Sequence, residues 1–156
     1  MASCERPVRS RGFAYLWVLI SVALMGVSLA LAGEIYATSL RRDQEEQLLA
    51  IGRQFQRAFL SYRNATPAGE VPYPGSLSDL LEDRRGPVMR RHLRKIFVDP
   101  MTGRAEWGEV RVGGRITGVH SLATSAPIKR AGFDEGFEGF DEANRFKDWF
   151  FGLDEK

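Results

Sequence analysis

The sequence predicts an α+β fold in which one long N-terminal helix precedes a small antiparallel sheet. Two observations carry this prediction. Residues 13–32 contain no charge, and residues 33–64 contain no proline and repeat apolar side chains at helical spacing. Further along the chain, residues 105–112 and 115–121 read as short strands on either side of a Gly-Gly pair, which is typical of a hairpin.

Residues 13–32 are long enough to cross a membrane as a helix. Twenty helical residues at about 1.5 Å each extend for about 30 Å, which matches the hydrocarbon layer of a bilayer. A cleaved secretory signal usually has a shorter apolar region of roughly 7 to 15 residues, although Ala30, Leu31 and Ala32 offer a small-x-small site before Gly33. The length favours a retained anchor over a discarded signal, and disfavours the third interpretation, a buried core helix.

The charges that flank this segment predict its orientation. Arg6, Arg9 and Arg11 lie with the amino terminus on one side, whereas acidic residues offset Arg41 and Arg42 on the other side. Positive residues favour the cytoplasmic side of a membrane. We therefore expect the leader in the cytoplasm and the body of the protein outside it.

The composition limits the classes of function. The chain has 156 residues, of which 27% are charged, and a formal net charge of +2, so its overall charge calls for no polyanionic partner. Its single cysteine, Cys4, excludes an intramolecular disulfide, a cysteine zinc site and a thiol catalyst in the body of the protein.

Residues 33–64 predict an amphipathic helix that continues the apolar one. A stripe of apolar side chains recurs at helical spacing, formed by Leu48, Ile51, Phe55, Phe59 and Tyr62. A single helix over residues 13–64 would be about 75 Å long, half of it in the membrane and half packed on a small domain. The prolines and glycines of residues 65–75 end this helix.

The remaining residues predict several short elements. Ser76 is suited to cap a short helix that has Asp79 in its first turn and extends through Leu81. We also expect Met89, Leu93 and Phe97 to share one face of a helix before the turn at Asp99-Pro100. The two strands of the hairpin follow.

These features together resemble the type IV prepilins and pseudopilins. The chain has a short basic leader ending in Gly12, an apolar helix that starts at Phe13, and an amphipathic continuation. The succession YPGSLSDLL, DPMTGRAEW and GRITGVHSLATSAPIKRAGF is similar to the periplasmic domain of pseudopilins, especially the major pseudopilin of type II secretion and its close relatives. The resemblance covers nearly the whole chain.

The resemblance implies a pilin-like fold, with the long helix laid across the sheet, and four regions. Residues 1–12 would be a cytoplasmic leader, residues 13–32 a transmembrane helix segment, residues 33–64 its amphipathic continuation, and residues 65–156 a periplasmic α+β domain. A prepilin peptidase would cut after Gly12 and methylate the new amino terminus at Phe13. The protein would be a single-pass protein of the bacterial inner membrane.

The function implied by the resemblance is that of a structural subunit in a pseudopilus or pilus-like filament of a type II secretion system. Its partners would be other pseudopilin subunits, the inner-membrane assembly platform and the prepilin peptidase. One departure concerns Trp17, where the family usually has a glutamate thought to pair with a neighbour's amino terminus during assembly. Members without it are typically minor or tip subunits. The alternatives are a signal-anchored periplasmic binding domain that never assembles, and a minor pilin of a type IV pilus or DNA-uptake system.

The sequence favours no enzyme, so we expect no catalytic residues. His92 is interpreted as a solvated residue of a basic helix. His120 precedes Ser121 on a predicted strand, where adjacent side chains point to opposite faces, so the imidazole would not reach that hydroxyl. An enzyme would require a catalytic cluster that only the folded chain brings together.

A basic cluster within residues 84–95 is a candidate contact surface. It is formed by Arg84, Arg85, Arg90, Arg91, Arg94 and Lys95. Such a cluster could meet phosphate, lipid headgroups or an acidic neighbour, or it could form a solvated helix face. Arg90, Arg91 and Arg94 are, with Trp17, the candidate subunit contacts, and the absence of interleaved aromatic residues disfavours nucleic acid.

An acidic segment at residues 133–144 is the only candidate cofactor site. Its carboxylates are Asp134, Glu135, Glu138, Asp141 and Glu142. Oxygen-rich loops that contain glycine suit calcium, and major pseudopilins bind calcium near their carboxyl end. The alternatives are a surface loop whose Phe133, Phe137 and Phe140 enter the core, and an acidic segment that meets the basic cluster of a neighbouring subunit.

Overall fold

The computed structural model describes residues 11–137 and 139–153. It has an α+β fold that contains one long helix, α1 (Arg11–Asn64), and three short strands: β1 (Gly108–Val112), β2 (Arg115–His120) and β3 (Phe151–Gly152). Two 3-10 helices, Leu77–Leu80 and Phe146–Asp148, complete the regular structure. The chain divides into two compact units, and the boundary lies between residues 40 and 41.

The first unit contains the apolar part of α1. Its large hydrophobic side chains are exposed from Phe13 to Leu40. Within the described residues, α1 is the one helix that is long and apolar enough to cross a membrane. Because this surface is apolar and unburied over the length of a bilayer, the segment is a candidate membrane anchor.

The second unit contains the hydrophobic core, to which the later turns of α1 contribute one face. Leu48, Phe55, Phe59 and Tyr62 of the predicted stripe are buried there, and Ile51 packs against the core. The sequence prediction of an amphipathic helix ending at Asn64 is therefore confirmed. The prediction did not include Leu49 and Ala58, which are also buried on this face.

The strands form one antiparallel sheet in the order β1-β2-β3. Gly113 and Gly114 connect β1 to β2 with φ angles of 58° and 79°, a conformation that favours glycine and that the tightest hairpin turns require. The predicted hairpin is confirmed, but β1 begins at Gly108 rather than at residue 105. Strand β3, with two residues, was not predicted.

The cap of the first 3-10 helix is also confirmed. The Asp79 carboxylate accepts hydrogen bonds from the backbone N–H groups of Gly75 and Ser76, at 2.8 and 3.0 Å, and from the Ser76 hydroxyl. These bonds satisfy donors at the start of the helix that have no partner inside it.

The predicted helix that would carry Met89, Leu93 and Phe97 on one face is wrong. Residues 81–98 form no helix; instead Asp83 and Arg90 are joined by a pair of backbone hydrogen bonds of 2.8 and 2.9 Å. Gly86-Pro87 lies between these two residues, and proline restricts its predecessor and offers no backbone donor, which favours a reversal over a helix. Met89 is 53% exposed whereas Leu93 is buried, so they do not share a buried face.

Candidate functional site

A cluster of polar side chains around Asp83 lies beside the last turn of α1. The Asp83 side chain is only 5% exposed. Its carboxylate accepts hydrogen bonds from Nε of Arg85 at 2.9 Å and from the Arg85 backbone N–H at 3.1 Å. A terminal guanidinium nitrogen of Arg85 lies 2.9 Å from the second carboxylate oxygen. The two charged groups thus form a bidentate pair in a largely buried setting.

These contacts alter the proton affinity of both groups. The hydrogen bonds from Arg85 hold the pKa of the Asp83 carboxyl well below its usual range, against the opposing effect of burial. The same bonds raise the pKa of the Arg85 guanidinium above its ordinary value. Both groups are therefore charged at neutral pH.

Arg85 also connects the cluster to the end of α1. Its guanidinium lies 3.5 Å from the centre of the Tyr62 ring and donates to the Tyr62 carbonyl oxygen at 3.2 Å. It further donates to the Thr66 hydroxyl at 2.9 Å. A cation beside the last carbonyls of a helix stabilises its negative end. Arg85 therefore holds residues 83–85 against the C-terminus of α1.

His92 completes the cluster, and its position contradicts the sequence interpretation. Its side chain is 3% exposed rather than solvated, and it does not belong to a helix. One ring nitrogen, Nε2, lies 3.2 Å from the Asp83 carboxylate, and the other, Nδ1, lies 2.8 Å from Oγ of Ser61. The ring packs edge-on against Tyr62.

Nucleophilic hydrolases contain the same order of carboxylate, imidazole and hydroxyl. This order raises the question whether Ser61 could act as a nucleophile. Ser61 lies within the α1 helix, whose backbone N–H groups are engaged in helical hydrogen bonds and offer no oxyanion site. Arg85 already engages both oxygens of Asp83. The arrangement is better suited to joining residues 83–92 to the end of α1 than to catalysis.

His120 and Ser121 do not form a catalytic pair. Nδ1 of His120 contacts the Ser121 carbonyl oxygen at 2.8 Å, whereas the Ser121 hydroxyl donates to the buried Asp99 carboxylate at 2.7 Å. The side chains engage different partners, as the alternation along the strand predicts. Asp99 also accepts the Met101 N–H, so this carboxylate orders the turn before β1.

The basic cluster predicted from the sequence is divided by the fold. Arg84 pairs with Glu82, and Arg85 pairs with Asp83. Lys95 lies over the Phe97 ring. The side chains of Arg90, Arg91 and Arg94 make no ion pair or hydrogen bond with the part of the chain that is described, and all three are exposed.

The acidic segment contains four of the five predicted calcium ligands in the described residues, because Glu138 lies outside them. Asp134 forms an ion pair with Arg53 of α1, and Glu135, Asp141 and Glu142 are exposed. Among residues 11–137 and 139–153, no group of three or more His, Cys, Asp or Glu side chains is placed to hold a metal. The aromatic residues of the segment behave as the surface-loop alternative expects: Phe137 and Phe140 are buried, and Phe133 packs against the core.

At the amino-terminal end, residues 1–10 of the predicted leader lie outside the described residues. Gly12 and Phe13, the predicted processing site, lie in the first turn of α1. The Trp17 ring is exposed and contacts the Phe13 ring edge-on, with their centroids 6.4 Å apart.

Two parts of the polar structure were missed by sequence reasoning. The Asp83 cluster joins residues from three separate parts of the chain, and only the short Asp83–Arg85 spacing was visible beforehand. Glu45 is also buried, and its carboxylate accepts the backbone N–H groups of Ile128 and Lys129. The sequence signal for the burial of Glu45 was the position of this charged residue next to the apolar stripe of α1.

Comparisons of this chain with protein-family models, with curated proteins and with solved structures found no match.

Proposed function

We propose that this protein is a structural subunit of a pseudopilus or pilus-like filament of a type II secretion system. One observation carries the proposal: a helix with an exposed apolar first part continues, without interruption, into turns that form one side of the core of a small α+β unit. In such a subunit the exposed apolar part would anchor the protein before assembly. Within the filament, contact between helices of neighbouring subunits would replace contact with lipid.

The proposal includes processing and location. A prepilin peptidase would cut after Gly12 and methylate Phe13, and the second unit would lie in the periplasm of a bacterium. The assembly platform and other pseudopilin subunits would be the partners. Trp17, which stands where the family usually has glutamate, leaves open a minor or tip position in the filament.

The test is the intact mass and amino-terminal sequence of the protein extracted from its native membranes. We expect a chain that begins at methylated Phe13. A chain that begins at Gly33 would identify a discarded secretory signal, and an uncut chain would identify a plain anchor; either result would contradict the proposal.

Two variants sharpen this test. Gly12→Leu should leave the leader attached, because the peptidase that the proposal invokes requires a glycine before the cut. Ala32→Leu removes a small residue from the alternative signal-peptidase site, and it should leave processing after Gly12 unchanged. The opposite pattern would favour the secretory signal.

A further inference from the structure

An open concavity of about 630 Å³ lies between the last turns of α1 and residues 90–92. Three arginines line it: Arg57 from α1, and Arg90 and Arg91 from the opposite segment. Ser61 and Asn64 lie beside them, and no Asp or Glu is among the lining residues. Three arginines therefore border one shared space whose lining contains no acidic residue.

The three arginines differ from the paired arginines of the same protein. Arg53, Arg84, Arg85, Arg111 and Arg145 each have a carboxylate partner. The guanidinium groups of these three arginines have none within the described residues, and they form no hydrogen bond with a described protein group. Like charges that converge without a counter-charge repel one another, and a bound anion would relieve that repulsion.

Capping of the helix does not explain these charges. The Ser61 carbonyl accepts the Ala65 N–H at 3.1 Å, and the Arg63 carbonyl accepts the Thr66 N–H at 3.2 Å. The Tyr62 carbonyl already accepts from Arg85 and from the Thr66 hydroxyl. The carbonyls of Ser61, Tyr62 and Arg63 are therefore satisfied by other groups, and the concavity's guanidinium groups are not needed to cap them.

The backbone positions of the three arginines are fixed. Arg57 lies on a regular helix, and Arg90 is held by its two backbone hydrogen bonds to Asp83. The next residue, His92, is anchored through its backbone N–H to Leu80 and through its ring to Ser61 and Asp83. Binding a ligand here requires ordering of side chains only, which lowers the entropic cost of binding.

We propose that this concavity binds a phosphate group through Arg57, Arg90 and Arg91. The planar guanidinium group donates two parallel hydrogen bonds to a phosphate, and several arginines around one site complement its negative charge. The phosphate could be free inorganic phosphate or part of an anionic lipid headgroup. This inference does not depend on filament assembly, because it rests on the second unit alone.

The first experiment is calorimetric titration of inorganic phosphate into the full-length protein in uncharged detergent micelles, with ionic strength held constant by chloride. The variant R57Q/R90Q/R91Q removes the three charges of the concavity. The control variant is R94Q/K95Q, which removes two charges. Arg94 and Lys95 are exposed on the same segment as Arg90 and Arg91 but do not line the concavity. We expect saturable binding that weakens by about tenfold for each lining arginine removed and by less than about twofold in the control.

The second arm uses flotation of the same proteins with vesicles of phosphatidylglycerol or of phosphatidylcholine. Selective binding to phosphatidylglycerol that is lost in R57Q/R90Q/R91Q, but kept in the control, would identify a lipid headgroup as the source. Because the apolar segment itself can bind both kinds of vesicle, phosphate binding without a preference for phosphatidylglycerol over phosphatidylcholine would identify the free ion. Circular dichroism of every variant verifies that it is folded.

Three results would overturn the inference. One is the absence of phosphate binding together with equal flotation on the two kinds of vesicle, and another is equal weakening in the two variants, which would indicate nonspecific attraction. The third is a result in which phosphate does not bind but a synthetic peptide of residues 133–144 does, and in which this peptide binding is lost when the three arginines are replaced. That outcome would mean that the concavity receives the acidic segment of another protein molecule.

Discussion

At the scale of single residues, Asp83 and Glu82 are neighbours with opposite environments. Each pairs with the arginine two positions later, but the Asp83 pair is largely buried, whereas Arg84 and Glu82 are exposed. A buried charge that loses its partner remains desolvated and uncompensated, whereas exposed pairs contribute little to stability. The two positions therefore form a natural comparison.

We predict that Asp83→Asn lowers the free energy of unfolding by about 2 kcal/mol, because it leaves the Arg85 guanidinium without its counter-charge. Glu82→Gln should change it by less than about 0.5 kcal/mol. Urea unfolding of the full chain in uncharged micelles, followed by tryptophan fluorescence, measures both values. Equal effects of the two substitutions would contradict the structural role of the Asp83 cluster.

The lowered pKa of Asp83 also predicts how stability depends on pH. A carboxyl group whose pKa is lower in the folded state stabilises the fold fully above its unfolded pKa, about 3.9, and loses that contribution as pH falls toward its folded pKa. The difference in unfolding free energy between the wild type and Asp83→Asn should therefore be constant from pH 7 to about 5. It should shrink below about pH 4, and a difference that stays constant down to pH 3 would refute this account.

At the scale of elements, the packing of β3 against α1 depends on a glycine within the helix. A Cβ atom at Gly52 would overlap the ring of Phe151, which is fully buried. Alanine normally favours a helix over glycine, by about 1 kcal/mol. At this position the steric overlap outweighs that preference.

We predict that Gly52→Ala lowers the unfolding free energy by about 2 kcal/mol, because overpacking of a dense core forces neighbouring groups to shift. Gly33→Ala is the control, since a Cβ atom there meets nothing within 4 Å. It should leave the unfolding midpoint of the second unit unchanged. If Gly52→Ala raised stability, helix propensity would dominate and the described packing of Phe151 would be incorrect.

The elements also show which parts of the fold could be read from the sequence. The stripe on α1, the cap at Ser76 and the glycine turn at residues 113 and 114 depend on local patterns, and all three were predicted. Met89, Leu93 and Phe97 were wrongly assigned to one face of a helix, because their helical spacing was given more weight than Gly86-Pro87. Strand β3 has only two residues, which is too short to show an alternation of apolar and polar side chains. Its register is set by pairing with β2, which is distant in the sequence.

The polar clusters were harder to predict for the same reason. The burial of His92 depends on Ser61, which lies 31 positions earlier in the chain, and on the backbone pairing of Asp83 with Arg90. Glu45 is bonded to residues more than eighty positions away. Such contacts exist only after the chain has folded, and no local sequence pattern identifies the partner residues.

At the scale of the whole molecule, the described hydrophobic core belongs to the second unit. Its buried residues lie between Leu48 and Phe151. We predict that a chain of residues 41–156 folds by itself, with cooperative thermal unfolding and the near-ultraviolet dichroism of ordered aromatic rings. A chain of residues 54–156, which lacks Leu48, Leu49 and Glu45, should lose that cooperativity, and a molten chain of residues 41–156 would disprove this division.

The contact between Gly52 and Phe151 has a further consequence for biogenesis. The Phe151 ring packs beside Gly52 of α1 and belongs to β3. The core therefore cannot form completely until synthesis has reached Phe151. Residues 13–32 emerge from the ribosome long before that, at a synthesis rate of about 5–20 residues per second. The apolar segment is therefore outside the ribosome while the core of the second unit is still unfolded.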